Sequence, residues 1–467
     1  MTTTVSELLD MQRFVGRGEA AFAASKPADF DVGVNYRGSW ETEWAGVQSS
    51  VRRHARALST TGMPVWLVSH GHTMEYLDEN GEIVSGFADH TKLAESVESE
   101  VGHLLACRHK QPLLAIEHRV FSPEAVLNIV YPARTGRIDP LFRRRVNATT
   151  ILYTVFERAA PDDDVSRVVA AMGNLAEVWV PCERNRRVLI ECGMDANRVV
   201  RMPHPTRPDD PVWHMRASRR GRLDAFAVSH CHAFRPQKLR FVNVGKWEPR
   251  KAQHEMLGGF LLAFRPGEHE LVLKHNAFGQ DWEGYPKSPQ QSIHMWLQNS
   301  SVIDNGWTSQ NVSTSIKVFG QPLPREALVR FLAESDVYVS AGRSEGFDMP
   351  ALDAKILGLR LVVMGYGGAE DFATCSDVMG TSPLCSTHPG YGWKGATWSG
   401  HTAEDVASAL KLAAEMEGDP DRPRVDIDTT QYTEAAVGQK MLERCLGIIA
   451  RITPEFKFVP VKEYQDA

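Results

Sequence analysis

The sequence predicts an α/β protein made of two Rossmann-like domains that face each other across a cleft. Three observations predict this class. A strand, a glycine-bearing loop and a helix follow one another in both halves, at Asp31–Leu58 and again at Arg240–Phe264, which is the unit of a doubly wound nucleotide fold. Segments such as Pro112–Ile116 are unbroken apolar runs, as expected of parallel strands covered on both faces. Finally, 467 residues are too many for one ordinary core, so two domains are the natural division.

Composition narrows the class further. Hydrophobic residues make up 43% and charged residues 24%, as in an ordinary soluble protein. A formal net charge of −6 excludes a strong overall attraction to nucleic acid or anionic membrane. No apolar run reaches the length of a bilayer span, and the start MTTTVSELLD lacks a basic-then-apolar leader, so cytoplasmic residence is expected. The seven cysteines are scattered without a C-x-x-C pair, against both a disulfide framework and a zinc site.

In the first half, residues 1–30 read as a polar, partly helical lead-in over Val5–Phe22. Asp31–Asn35 is the first strand, Arg37–Gly46 its loop and Val47–Leu58 a helix, without a G-x-G-x-x-G fingerprint. Pro64–Ser69 is the second strand. Pro112–His118 follows and ends on Glu117 and His118, where side chains at strand carboxyl ends face the ligand crevice of open α/β sheets. The basic segment Arg134–Arg145, which includes Arg143 and Arg144, reads either as a solvated helix face or as a seat for an anionic acceptor. Ile151–Glu157 is a strand ending on an acid. The acidic run Pro161–Asp164 after it reads as the charged start of a helix, not as a metal site. Ala176–Pro181, Cys182–Cys192 and Val199–His204 supply strand, helix and strand.

Residues 206–238 are rich in Pro, Arg, Asp and His without periodicity and read as the connection between domains. The division is therefore 1–205 for the first domain and 239–429 for the second, with the 430–467 helix returning to the first. Arg240–Gly245 opens the second domain, followed by the cationic loop Lys246–Lys251 and a helix at His254–Phe264. Lys246 and Lys251 are spaced to converge on a diphosphate over that helix start. Glu270–Lys274 and Ser315–Gly320 are strands, with a helix near Gln290–Leu297 between them. Pro324–Glu334 is a helix, and Asp336–Ser340 leads into the bend Ser344–Ala354, which reads S-E-G-F-D-M-P-A-L-D-A. Gly346 allows close backbone approach, Pro350 suits a first helical turn, and the helix N-terminus offers an anion cradle. Glu345 and Asp353 are eight residues apart, one carboxylate at the loop mouth and one on the helix. Leu359–Met364 is the last clear strand, Thr374–Ser399 reads as loop, and helices run over Ala403–Met416 and Thr433–Ile452.

The Glu345–Asp353 pair resembles the E-x7-E signature of retaining glycosyltransferase family 4, although Asp353 is one methylene shorter than the usual second Glu. The run Val244–Lys251 is similar to that family's V-G-(R/K)-x-x-P-R-K pattern. The block Leu152–Pro205, with its Y-T-x-F-E strand and P-H-P exit, and the turn Gly365–Gly368 before Glu370 resemble it too. The resemblance implies the GT-B fold and transfer from a nucleoside-diphosphate sugar without metal or other cofactor. It implies that Lys246 and Lys251 hold the donor diphosphate, that Glu345 with Gly346, Phe347, Asp348 and Met349 holds sugar and phosphates, and that Asp353 holds the ribose. It further implies contact of His118 with the transferred sugar, of Gly320 with the base, and of the Gly46 loop with the reaction centre. Catalytic roles fall to Glu345, His118 and Lys251. Glu117, Glu157, Arg143 and Arg144 are acceptor-side candidates, and glycan, lipid, protein and nucleic acid all remain open as acceptors. A GT-B epimerase or phosphorylase and a non-catalytic sugar-nucleotide-binding protein are the alternatives.

Overall fold

A computed structural model describes residues 32–37, 46–63, 65–68, 74–77, 83–84, 111–123, 126, 129, 148–216, 238–276, 281–380, 382–419 and 424–452. Arg143, Arg144 and the Val5–Phe22 lead-in lie outside the described residues.

Among the described residues, the first sheet has eight strands in the order β4-β3-β2-β1-β5-β6-β7-β8. They are β1 (Val32–Arg37), β2 (Val65–Val68), β3 (Met74–Leu77), β4 (Ile83–Val84), β5 (Gln111–Val120), β6 (Thr150–Val155), β7 (Glu177–Val180) and β8 (Val199–Arg201). All neighbours pair in parallel except β2–β3 and β3–β4. Helix α1 (Gly46–Ser59) follows β1, while α2 (Asp163–Met172) and α3 (Glu183–Glu191) flank β7. Asp162 caps α2 by accepting the Val165 N–H at 2.9 Å, so the acidic run that begins at Pro161 serves a helix start.

The second sheet runs β11-β10-β9-β12-β14-β16. Its strands are β9 (Arg240–Lys246), β10 (Glu270–Asn276), β11 (Ile316–Phe319), β12 (Val337–Ser340), β14 (Arg360–Val363) and β16 (Val378–Met379), all paired in parallel. Helices α4 (Gln253–Ala263), α5 (Pro289–Trp296), α6 (Ser300–Asp304), α7 (Arg325–Ala333), α8 (Met349–Ile356) and α9 (Ala403–Gly418) surround it. In both sheets the first strand lies inside and the chain reverses beside it, at β1/β5 and at β9/β12. Such switch points are where open α/β sheets bind ligands.

Among the described residues, four apolar clusters hold the layers. In the first half, one side of the sheet packs on α1 and on the C-terminal helix α10 (Glu434–Ile452), and the other on α2 and α3. In the second half, α4 and α9 cover one side, and α7 and α8 the other, together with Val212 and Tyr432. Thus the start of the segment read as a connection, with residues 211–216 helical, packs into the second core. Two glycines permit close helix crossings. A Cβ at Gly438 would lie 2.0 Å from the Ala57 carbonyl oxygen, and one at Gly259 would lie 2.6 Å from a Val406 methyl.

The structure differs from the sequence reading at a few elements. The hairpin β3–β4 was not anticipated, being too short for a period-two pattern to register. Thr374–Ser399, expected as loop, contains β16 and an antiparallel hairpin of β17 (Leu384–Ser386) and β18 (Thr397–Ser399), again two- and three-residue strands. The bend after β12 adds a parallel two-stranded pairing between β13 (Ser344–Glu345) and β15 (Tyr366–Gly367).

Candidate active site

The β9/β12 switch point gathers Lys251, Glu345, Asp348 and Glu157 of the charged residues singled out above. After β9 the chain turns through Pro249–Lys251 and starts α4, with Ala252 left-handed at φ 47° between the two. That turn aims two cations at the bend after β12. Lys251 Nζ lies 2.6 Å from Glu345 Oε1, and Arg250 donates to Glu345 Oε2 at 3.0 Å and to the Ser344 carbonyl at 3.0 Å. A side-chain carbon on Gly245 would meet Lys251 Cδ at 3.5 Å, so the lysine stem folds back along β9. Burial alone would raise the Glu345 carboxyl, but Lys251 and Arg250 outweigh it and leave the group below the ordinary carboxylate range.

Arg250 is the hub of the cluster, and the sequence reading passed it over in favour of the flanking lysines. Its second terminal nitrogen reaches Glu248 at 2.7 Å and Glu157, at the end of the β6 strand region, at 3.0 Å. Burial would lower the guanidinium, yet the three carboxylates Glu157, Glu345 and Glu248 hold it well above its usual value. Glu157, unlike Glu345, is raised: burial outweighs the pull of Arg250. The only sequence signal for Arg250 was its place in the Pro-Arg-Lys turn, since nothing local names partners about a hundred residues away.

The bend is pressed onto the first half. A Cβ on Gly346 would lie 2.0 Å from a Val155 methyl, and Phe347 meets the His204 ring edge-on with centroids 4.7 Å apart. Further along the seam, Asp371 accepts from the Glu183 N–H at 3.0 Å and pairs with Arg201 at 2.7 Å, while Arg184 forks onto Glu370 at 2.7 and 3.0 Å. Asp348 adopts a left-handed conformation at φ 66°. It turns inward to accept from Tyr338 and Ser340, and burial and the nearby Glu345 raise its carboxyl. Met349 opens α8.

Asp353, the residue expected at the ribose, is paired within the protein. It is buried and forms a two-pronged pair with Arg325, with one contact at 2.8 Å. Arg325 in turn forks onto Asp210 at 2.9 and 3.0 Å. Gly320 is exposed and lies beside the His275 ring, and Lys246 is exposed at the end of β9. Gly46 is the first residue of α1.

The first-half candidates occupy β5. This strand runs to Val120, two residues beyond the expected end, so Glu117 and His118 lie within it and not at its edge. Glu117 is buried and pairs with Arg119 at 3.4 Å. His118 is buried and stacks on Tyr153 with centroids 4.3 Å apart. His54 and His204, both buried, complete the group. Ser50 Oγ lies 2.7 Å from His204 Nδ1, and His54 approaches the Ser50 and Pro203 carbonyls at 2.8 and 3.1 Å. Burial lowers all three imidazoles, His54 to about 4 and the other two well below the usual value, so they are neutral at neutral pH.

No family model matches the chain, and no curated protein does. Among solved structures, the chain is similar to the trehalose-6-phosphate synthase OtsA, at 12% identity over 91% of this chain and 99% of that one, with a TM-score of 0.52. It is also similar to a sucrose-phosphate synthase from Thermosynechococcus elongatus, at 12% identity over 91% and 96% of the two chains, with a TM-score of 0.51. At such identities the likeness is one of fold, and the fold is GT-B, with two Rossmann-like sheets.

Proposed function

We propose that the chain is a glycosyltransferase that moves a sugar from a nucleoside-diphosphate sugar to an acceptor, with retention at the anomeric carbon and without a metal. The observation that carries this reading is the convergence of Lys251 and Arg250 on Glu345 at the β9/β12 switch point. A diphosphate competes for those cations, because it carries more charge than one carboxylate and accepts the same N–H donors. On that reading the donor diphosphate takes over Lys251, with Lys246 reaching it from the end of β9. Glu345, released, accepts hydroxyls of the sugar. The start of α8 adds N–H donors where the charge collects.

The reaction breaks the bond between the anomeric carbon and the diphosphate oxygen. It forms a bond from the same carbon to an acceptor oxygen, whose proton passes to the departing phosphate on the same face. Charge grows on the diphosphate as that bond lengthens, so the fixed cation at Lys251 stabilises the transition state more than the ground state. The two synthases of like fold support the reading without identifying donor or acceptor.

The test is a thermal-shift screen with UDP, GDP, ADP and their sugars, followed by measurement of donor hydrolysis and transfer in Lys251→Ala and Glu345→Ala. Stabilisation by one nucleoside diphosphate and its sugar is expected, with turnover lost in both variants. A second reading, binding without catalysis, is favoured by the departure at Asp353, an Asp where the resembled pattern has Glu. Saturable donor binding with no hydrolysis or transfer would establish that second reading instead.

A further inference from the structure

Two segments of the second half that the sequence left without a role come together beside Arg250. Trp282 stacks on Tyr391 with ring centroids 4.5 Å apart and planes at 25°. Tyr391 continues to Trp393 at 4.7 Å. His388 ties the segments together through the Glu283 carbonyl at 2.7 Å, and Gly390 leaves room for the Trp282 ring, which a Cβ there would approach to 3.0 Å. All three large rings are partly exposed. Such a row would be wasteful as core, since partly wet aromatic surface contributes less to stability than buried surface.

Its position gives it chemistry. The Tyr391 hydroxyl accepts the Arg250 backbone N–H at 3.4 Å, and the Arg250 guanidinium pairs with Glu248 and Glu157. Arg158 of the first half lies 5.1 Å over the Trp393 ring and is itself buried, paired with Asp162 and Asp164 at 3.0 and 3.4 Å. The Ala159 N–H donates to the Thr397 carbonyl at 3.0 Å beside it. The row is therefore held by both halves, with its central hydroxyl on the turn whose Arg250 holds Glu248 and Glu157. Flat aromatic faces next to carboxylates and a hydroxyl fit a ligand with an apolar ring face and a hydroxyl-bearing edge.

We propose that Trp282, Tyr391 and Trp393 form a subsite for a carbohydrate acceptor, its pyranose rings stacked on the indoles and its hydroxyls directed to Glu157 and Glu248. This rests on the transferase reading and adds to it the class of acceptor, a neutral glycan in place of a lipid, protein or nucleic acid. The acceptor then lies beside Tyr391 and the donor at Lys251, with Arg250 next to both.

The test uses saturation-transfer NMR on the full chain with methyl α-glucoside, methyl α-mannoside, methyl β-galactoside, maltotriose and adenosine. Thermal shift with nucleoside diphosphates and their sugars runs in parallel. Saturation of ring C–H protons of at least one saccharide is expected, with affinity reduced about tenfold in Trp393→Ala and in Trp282→Leu, and with the nucleotide-sugar shift unchanged in both. That unchanged shift also shows that the variants fold. Tyr391→Phe keeps the stack and is expected to retain most of the binding. If a nucleotide sugar stabilises the protein but no saccharide binds, or binds equally well to both tryptophan variants, the subsite is overturned. Saturation by adenosine alone overturns the carbohydrate assignment. If no nucleotide or nucleotide sugar shifts melting, the transferase reading itself fails.

Discussion

Acidification is expected to weaken the first half of the protein steeply, through His54, His118 and His204. All three are buried among Ser50, Tyr153 and Phe347, and burial holds each imidazole below its ordinary value, His54 at about 4. A folded-state value below the unfolded one means that the unfolded chain takes up the proton first. Stability is then full above the unfolded value and falls as pH drops below it, until the folded group also titrates. With about 6.5 for an unfolded histidine and about 4 for folded His54, lowering the pH from 7.5 to 5 removes about 2 kcal/mol through His54 alone. His118 and His204, also lowered by burial, act in the same direction and steepen the fall. Glu157 and Asp348, raised by burial, oppose this by binding protons earlier in the folded state, so a variant is needed to isolate the histidines. His118→Phe keeps a ring against Tyr153 and removes one titrating group. Urea denaturation followed by circular dichroism at pH 7.5, 6.5, 5.5 and 5.0 is the assay, with the slope for His118→Phe expected to be about one proton shallower. Identical slopes for variant and wild type, or a flat wild-type profile, would refute the argument that burial keeps these groups neutral.

Three further outcomes follow from particular contacts. Gly438→Leu places side-chain atoms where the Ala57 carbonyl already lies 2.0 Å from an added Cβ. The C-terminal helix must then shift off α1, and a loss of about 3 kcal/mol or more is expected, read as a lowered melting temperature. Arg325→Met strips Asp353 and Asp210 of their shared cation and is expected to cost about 3–5 kcal/mol, whereas Arg325→Met combined with Asp353→Asn recovers part of that loss in the same denaturation assay. Gly346→Val is expected to leave each core folded but to separate the seam, because its side chain meets Val155. Limited proteolysis should then cut faster between the halves, and donor turnover should fall at least about tenfold, as catalytic geometry is lost.

Much of this architecture is written in local sequence. Apolar runs of strand length, interrupted by glycine and proline and alternating with helical spacing, place β6, β7, β9, β12 and β14 within a residue or two of their observed bounds, because each run must be covered on both faces wherever it sits. The bend at Ser344–Ala354 was readable for the same reason: a strand end, a glycine and a proline dictate a turn into a helix whatever the surroundings. Strands of two or three residues, such as β4 and β17, carry too few side chains to show a period.

The partners of the charged groups belong to the tertiary structure alone. Nothing near Arg250 announces Glu157 or Glu345, nothing near Asp353 announces Arg325, and the neighbours of His118 come from a helix and a strand exit far along the chain. Spacing decides which face of an element a side chain occupies. Which opposite charge or ring it meets depends on how two sheets and their loops dock, and in a buried seam the nearest partner, not the local motif, sets the charge state and reach of each group.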